Sequence, residues 1–214
     1  MNLHDLVALE AHGPDTFVGM GHPYPWGGLY GGHIVAQALA AAAETVDDSY
    51  MAHSLRAYFI ERGDNSQTVR YEVDRIRNGR SFATRRVVSR QTRGAILNLE
   101  CSFQVPETTT ELDAVSLPDG LVAPEQLPSD TWSDVFDRRW VRGDHVPVSR
   151  RGVTGWVGAW MRAKTDGSAS QFEHQCALAY ISDDLPTDAV FESLPAARAA
   201  GETGQRFSAR LDRT

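Results

Sequence analysis

Cysteine is scarce in this chain: Cys101 and Cys176 are the only two in 214 residues. Both lie in apolar patterns, which predicts reduced core thiols rather than a disulfide framework. Long hydrophobic runs are missing as well. No stretch nears the roughly 18 apolar residues that a membrane span needs, and Met1-Asn2-Leu3-His4-Asp5 lacks the basic and apolar regions of a signal peptide. The expectation is a cytoplasmic protein with no membrane partner. An excess of basic residues is also absent. The net charge is -7, which argues against nucleic-acid binding, since that needs a concentrated basic footprint. The sequence has no CxxC, HExxH, GxxxxGK(S/T) or GxSxG, and its seven histidines show no compact metal-ligand spacing. Zinc-protease, P-loop and serine-hydrolase chemistry therefore have no support.

What is present is an ordinary globular composition, 42% hydrophobic and 23% charged, with enough chain for one large domain or two small ones. The one basic cluster, Arg85, Arg86 and Arg90, lies on an alternating segment. It reads as a solvated sheet face or edge, with a site for a phosphorylated ligand as the alternative.

Periodicity divides the chain. Residues 1–30 are irregular and rich in Gly and Pro. Gly31 to Thr45 reads as a helix, with Ile34, Val35, Ala38, Leu39 and Ala42 on one stripe. Four strand-like segments follow: His53 to Ile60, Thr68 to Arg77, Phe82 to Gln91 and Ala95 to Val105. Asn78-Gly79 between the second and third is a hairpin signal. One helix followed by an antiparallel meander predicts an α+β unit in which a sheet curls around a central helix. Residues 106–130, dominated by Pro, Thr and acids, read as a linker. A second pattern opens near Trp132. It has a strand over Gly155 to Lys164, a helix over Gln171 to Ser182 with Phe172, Cys176, Ala179 and Tyr180 on its apolar face, and a strand start over Phe207 to Leu211. The expected organisation is an N-terminal unit over 1–105, the linker over 106–130, and an incomplete C-terminal unit over 131–214.

Gly31-Gly32 stands directly before the first helix, in "LYGGHIVAQAL". A plain turn is one reading. The other is a helix start whose N–H groups bind a carbonyl oxygen or an anion. The pair alone does not choose. By residue type, His33 and His53 read as packing or hydrogen-bonding residues. Asp183-Asp184 before Pro186 reads as an exposed acidic helix end. That placement is unfavourable against the helix dipole, so a functional reason gains weight.

The set of motifs says more. "LYGGHIVAQALAAAAETV", "HSLRAYFIERGD", "YEVDRIRNGRSFATRRVVSRQ" and "SFQV" follow one another between residues 29 and 105. In this order they resemble the acyl-CoA thioesterase II family, the TesB-type double hotdog thioesterases. The resemblance implies a double hotdog fold, here with an incomplete second unit, and hydrolysis of medium- or long-chain acyl-CoA. It implies no cofactor beyond the coenzyme A of the substrate, and no metal. Asp183 in "LAYISDD" takes the place of the family's catalytic Asp, and Thr214 in "ARLDRT" that of its catalytic Thr, with both orienting a water. Gly31, Gly32 and His33 are the expected substrate-binding residues. The family's catalytic Gln has no counterpart in these 214 residues, so weak turnover is expected. A non-catalytic hotdog protein that binds acyl-CoA or a partner is the competing reading. Unpaired sheet edges predict a homo-oligomer.

Overall fold

The computed structural model describes residues 1–165 and 167–193. Thr214 and the strand expected over Phe207 to Leu211 lie outside the described residues. In chain order the elements are α1 (Leu3–Val7), β1 (Glu10–Ala11), β2 (Thr16–Gly19), α2 (Gly31–Ala43), β3 (Met51–Phe59), β4 (Val69–Asn78), β5 (Phe82–Gln91), β6 (Gly94–Gln104), β7 (Phe136–Trp140), β8 (Ala159–Ala163), α3 (Gln171–Ile181) and α4 (Pro186–Ser193). By contacts they form two compact units. The first comprises residues 1–112, 132–137 and 162–183; the second comprises 113–131, 138–161 and the described residues from 184 on.

The first unit holds a six-stranded antiparallel sheet of order β1-β2-β4-β5-β6-β3. Its core runs between this sheet and α2. Alanine, the best helix former, fills α2 and leaves room for close approach on all sides. Every residue from Gly32 to Ala42 is buried. A helix with only one covered face would show a single buried stripe. The helix-in-sheet arrangement expected from the periodicity is thus present. The meander expected over four strands is shorter: only β4, β5 and β6 follow one another in space. β3 does not lie beside β4 but pairs with β6, with Arg56 opposite Glu100. Residues 60–68 between β3 and β4 are too long for a hairpin and carry the chain across the sheet instead. Two strands and a short helix inside residues 1–30 were not expected. They have two to five residues each, too few to show a period.

The basic cluster divides by strand alternation. Arg86 and Arg90 face outward, paired with Asp74 and Glu72 at 3.7 and 2.7 Å. Arg85 faces inward and is 2% exposed, so the solvated reading fails for it. Successive side chains on a strand point to opposite faces, and 85 shares the inner face with Val87 and Ser89. Its guanidinium is satisfied by oxygens: Nε donates to Thr45 Oγ1, Nη1 to the Arg77 and Thr84 carbonyls, and Nη2 to the Thr45 carbonyl and Asn78 Oδ1. Thr45 lies just past the C-terminus of α2, where the helix dipole favours a cation.

Both cysteines are buried and free, as expected. Burial pushes the Cys101 thiol up to about 12 and raises Cys176 as well. In the second unit Arg138 holds Asp184 at 2.7 Å, with both side chains largely covered. Trp140 is flanked by the guanidinium groups of Arg138 and Arg142 at 4.4 and 3.7 Å. No helix among the described residues is long and apolar enough to cross a membrane.

Candidate active site

Tyr30 is the N-cap of α2, with extended backbone and no capping bond from its own side chain. The loop before it is fixed from the β3–β4 crossover. The Leu29 amide donates to the Gly63 carbonyl at 2.9 Å, and Arg62 Nη2 to the Trp26 carbonyl at 2.7 Å. Asp64 closes the crossover turn by accepting from Ser66 and Gln67, and these bonds hold its carboxyl below the usual range. The Gly63-Asp64 pair of the sequence motif therefore serves the entry to α2.

At the other side of the site α3 ends. Ser170 and Glu173 form a capping box at its start. The carbonyls of its last turn run out of helical amides and find other partners. Leu178 O still takes the helical bond from the C-cap Ser182 amide at 3.0 Å, whereas Ala179 O accepts from Ser182 Oγ at 2.8 Å and Tyr180 O from Tyr30 Oη at 2.9 Å. Asp183 follows, half-buried, and its Oδ2 accepts from the Gly32 amide at 3.0 Å. The helix start of α2 is thus met by a carboxylate of the protein itself. This resolves the unfavourable placement of Asp183 after α3: its charge faces the positive end of α2. Its neighbour Asp184 pairs with Arg138. The two adjacent acids therefore have separate partners.

The glycine pair follows from the same approach. A Cβ on Gly31 would collide with Asp183 Oδ2 and lie 2.7 Å from Phe59 Cε1; a Cβ on Gly32 would collide with the Tyr180 carbonyl oxygen. Neither glycine has a positive φ, so the requirement is space rather than backbone conformation. Of the residues expected at the site, the structure brings together Gly31, Gly32 and Asp183. His33, next along α2, is 0% exposed, with Nε2 3.0 Å from the Met20 carbonyl and Nδ1 3.0 Å from Tyr24 Oη. Burial lowers it to about 4. These are the contacts of a packed, hydrogen-bonded side chain.

Sequence reasoning missed the tyrosines. Tyr24 Oη lies 3.2 Å from Tyr180 Oη, which lies 3.2 Å from Ser133 Oγ. With Tyr30 and Trp132 they form an edge-to-face cluster behind the helix ends, the rings of Tyr30 and Tyr180 4.9 Å apart. Burial raises the Tyr24 phenol. One signal was available: a Tyr at an N-cap, where Ser, Thr, Asp or Asn ordinarily stands. All of these residues belong to the first unit. The larger of the two described cavities, about 480 Å³, lies in the second unit beside Asp144, His145 and Arg151 and includes none of them.

A central helix buried by an antiparallel sheet defines a hotdog fold, and here a carboxylate just past α3 meets the N-terminus of that helix. A model of the acyl-CoA thioesterase N-terminal domain matches residues 22–104. The chain is 31% identical over 202 residues to acyl-coenzyme A thioesterase 8 of Homo sapiens, covering 83% of this chain and 63% of that protein. It is 36% identical over 106 residues to acyl-CoA thioesterase 2 of Haemophilus influenzae, covering 50% and 37%. The chain thus spans less than two thirds of the length of these relatives. Among solved structures, acyl-CoA thioesterase II TesB2 of Mycobacterium marinum superposes with TM-score 0.76 at 29% identity, over 92% of this chain and 72% of that one. A TesB protein of Mycobacterium avium subspecies paratuberculosis gives 0.72 at 30%, over 92% and 73%. The chain belongs to the TesB-type acyl-CoA thioesterase family.

Proposed function

We propose that this chain hydrolyses acyl-CoA thioesters and that Asp183 orients the attacking water. The observation that carries the reading is the 3.0 Å bond from the Gly32 amide to Asp183 Oδ2, which fixes the carboxylate against a rigid helix end. In the proposed step the water oxygen attacks the thioester carbonyl carbon, with Asp183 orienting it and accepting its proton. The C–S bond breaks, the thiolate takes up the proton, and a fatty acid and free coenzyme A result. Thr214, by its place in "LDRT", is proposed to hold the same water. Gly31 is proposed to line the mouth beside Phe59. The exposed Tyr58, Phe59 and Ile60 supply apolar surface suited to a medium- or long-chain acyl group. The Gly32 amide is engaged with Asp183 and does not serve as an oxyanion donor in this arrangement. We further propose a second hotdog unit that follows the 106–130 linker and contributes α3, a homo-oligomer, and a cytoplasmic location. The last is supported by two free buried thiols.

The test is release of free thiol from acyl-CoA substrates of several chain lengths. Asp183→Ala is expected to lower turnover by about 100-fold or more, the scale of losing a positioned acid–base group. Asp183→Asn keeps part of the activity if hydrogen bonding alone orients the water. Robust hydrolysis by Asp183→Ala rejects the assignment.

A further inference from the structure

An N-cap side chain ordinarily turns back onto the amides of its own first turn. Tyr30 does not. The residue is 7% exposed, and its hydroxyl crosses to α3 to donate to the Tyr180 carbonyl at 2.9 Å. That carbonyl belongs to the last turn of α3, so Tyr30 is an N-cap by position and a C-terminal cap of another helix by contact. Three residues beyond Tyr180, Asp183 returns the favour to α2 by accepting the Gly32 amide. Two bonds therefore join the same two helix ends, both donated from the α2 side: the Tyr30 side chain to the Tyr180 carbonyl, and the Gly32 amide to the Asp183 side chain. Each helix end meets the other's backbone with a side chain.

We infer that Tyr30 is a positioning residue for Asp183, acting through this reciprocal clamp; the inference rests on the reading of Asp183 as the group that orients water. The argument is geometric. A hydrogen bond at one point lets a segment pivot about the accepting atom. A second bond three residues away removes that freedom, because the two points lie on one short segment. The edge-to-face contact of the Tyr30 and Tyr180 rings at 4.9 Å holds the hydroxyl in line. Tyr180 is itself held at its other end, with Oη 3.2 Å from both Tyr24 Oη and Ser133 Oγ. The end of α3 is therefore pinned on two sides, at the Tyr180 hydroxyl and, toward α2, at the Tyr180 carbonyl.

The test is Tyr30→Phe, which removes one oxygen and keeps the ring, compared with Asp183→Ala and the double variant in the thiol-release assay. Tyr30→Phe is expected to retain its circular dichroism spectrum and KM and to lose about 10-fold in kcat, as a slightly misplaced reacting group does. In the Asp183→Ala background the Tyr30→Phe effect should vanish. A merely structural role would keep its effect in both backgrounds, and that outcome overturns the inference. Full kcat in Tyr30→Phe, with loss in Asp183→Ala, also overturns it while leaving Asp183 in place. Full turnover in Asp183→Ala overturns both readings. If no form turns over substrate, hydrogen exchange of the Gly32 amide decides. Exchange about 10-fold faster in Tyr30→Phe supports the clamp, in keeping with local opening at a weakened contact; unchanged exchange overturns it.

Discussion

The Gly32 amide and the Asp183 carboxylate meet at 3.0 Å across 151 positions of chain. The contact answers two puzzles together: why two glycines open α2, and why an acid follows the C-terminus of α3. Neither side chain alone shows it, since a glycine has none and the acid sits beside a second acid.

The two glycines should respond differently to alanine. At Gly32 the added methyl meets the backbone carbonyl of Tyr180, which cannot swing aside. Gly32→Ala is expected to cost about 2 kcal/mol or more in urea unfolding, as overpacking does. At Gly31 the methyl meets the Asp183 carboxylate and the Phe59 ring, which can rotate away. Gly31→Ala should therefore unfold at nearly the wild-type urea concentration but lose most thiol-release activity.

His33 predicts a pH dependence of stability. Burial lowers it from 6.5 to about 4 in the folded chain. Between these values the unfolded state binds a proton that the folded state does not, so stability rises with pH there. Its contribution is complete above about pH 6.5 and is lost as pH falls toward 4, by roughly 3 kcal/mol in all. His33→Gln, which keeps a donor and an acceptor but does not titrate, should flatten that part of a stability profile measured by denaturant midpoints.

Arg85 is expected to act through the end of α2. Arg85→Met removes the donors to the Thr45 carbonyl and hydroxyl while keeping much of the stem. Leaving such buried acceptors unpaired costs about 1–3 kcal/mol. Thermal melting should fall by several degrees, and hydrogen exchange should quicken first at residues 42–46.

The β3 edge should mediate association. Leu55, Tyr58 and Phe59 are 37%, 50% and 46% exposed on β3, which ends the strand order of the sheet among the described residues. Sedimentation in the micromolar range is expected to show a dimer or larger species. Tyr58→Lys, placing a charge on the edge, should shift it toward monomer. A stable monomer for the unaltered chain sinks the prediction.

Much of the architecture was legible because long elements carry a period. The bounds of α2 and of β4, β5 and β6 were read from 3.6- and 2-residue patterns to within two residues, and Phe82–Gln91 was read in full. Strand order was not legible: the pattern of β3 says which face is apolar, not which neighbour completes the ladder. Arg85 was misjudged because charge outweighed alternation in the reading, although Ala83, Val87 and Ser89 mark the inner face. At the site, residue type gave Asp183 and the glycines through resemblance, while the Tyr30 bond depends on a contact between residues 150 positions apart that no local pattern encodes.

The placement of β3 beside β6 also bears on how the chain folds as it is made. The β4–β5 and β5–β6 turns join neighbours along the chain, so these hairpins close early and at small entropic cost. β3 emerges before them yet, among the described residues, pairs with the last, Arg56 finding Glu100. It must wait, unpaired, until β6 has been synthesised. Non-local pairings of this kind slow folding and leave strand edges open to wrong partners in the interval. The nascent chain therefore carries an open strand edge while residues 51–59 are out of the ribosome and residues 94–104 are not.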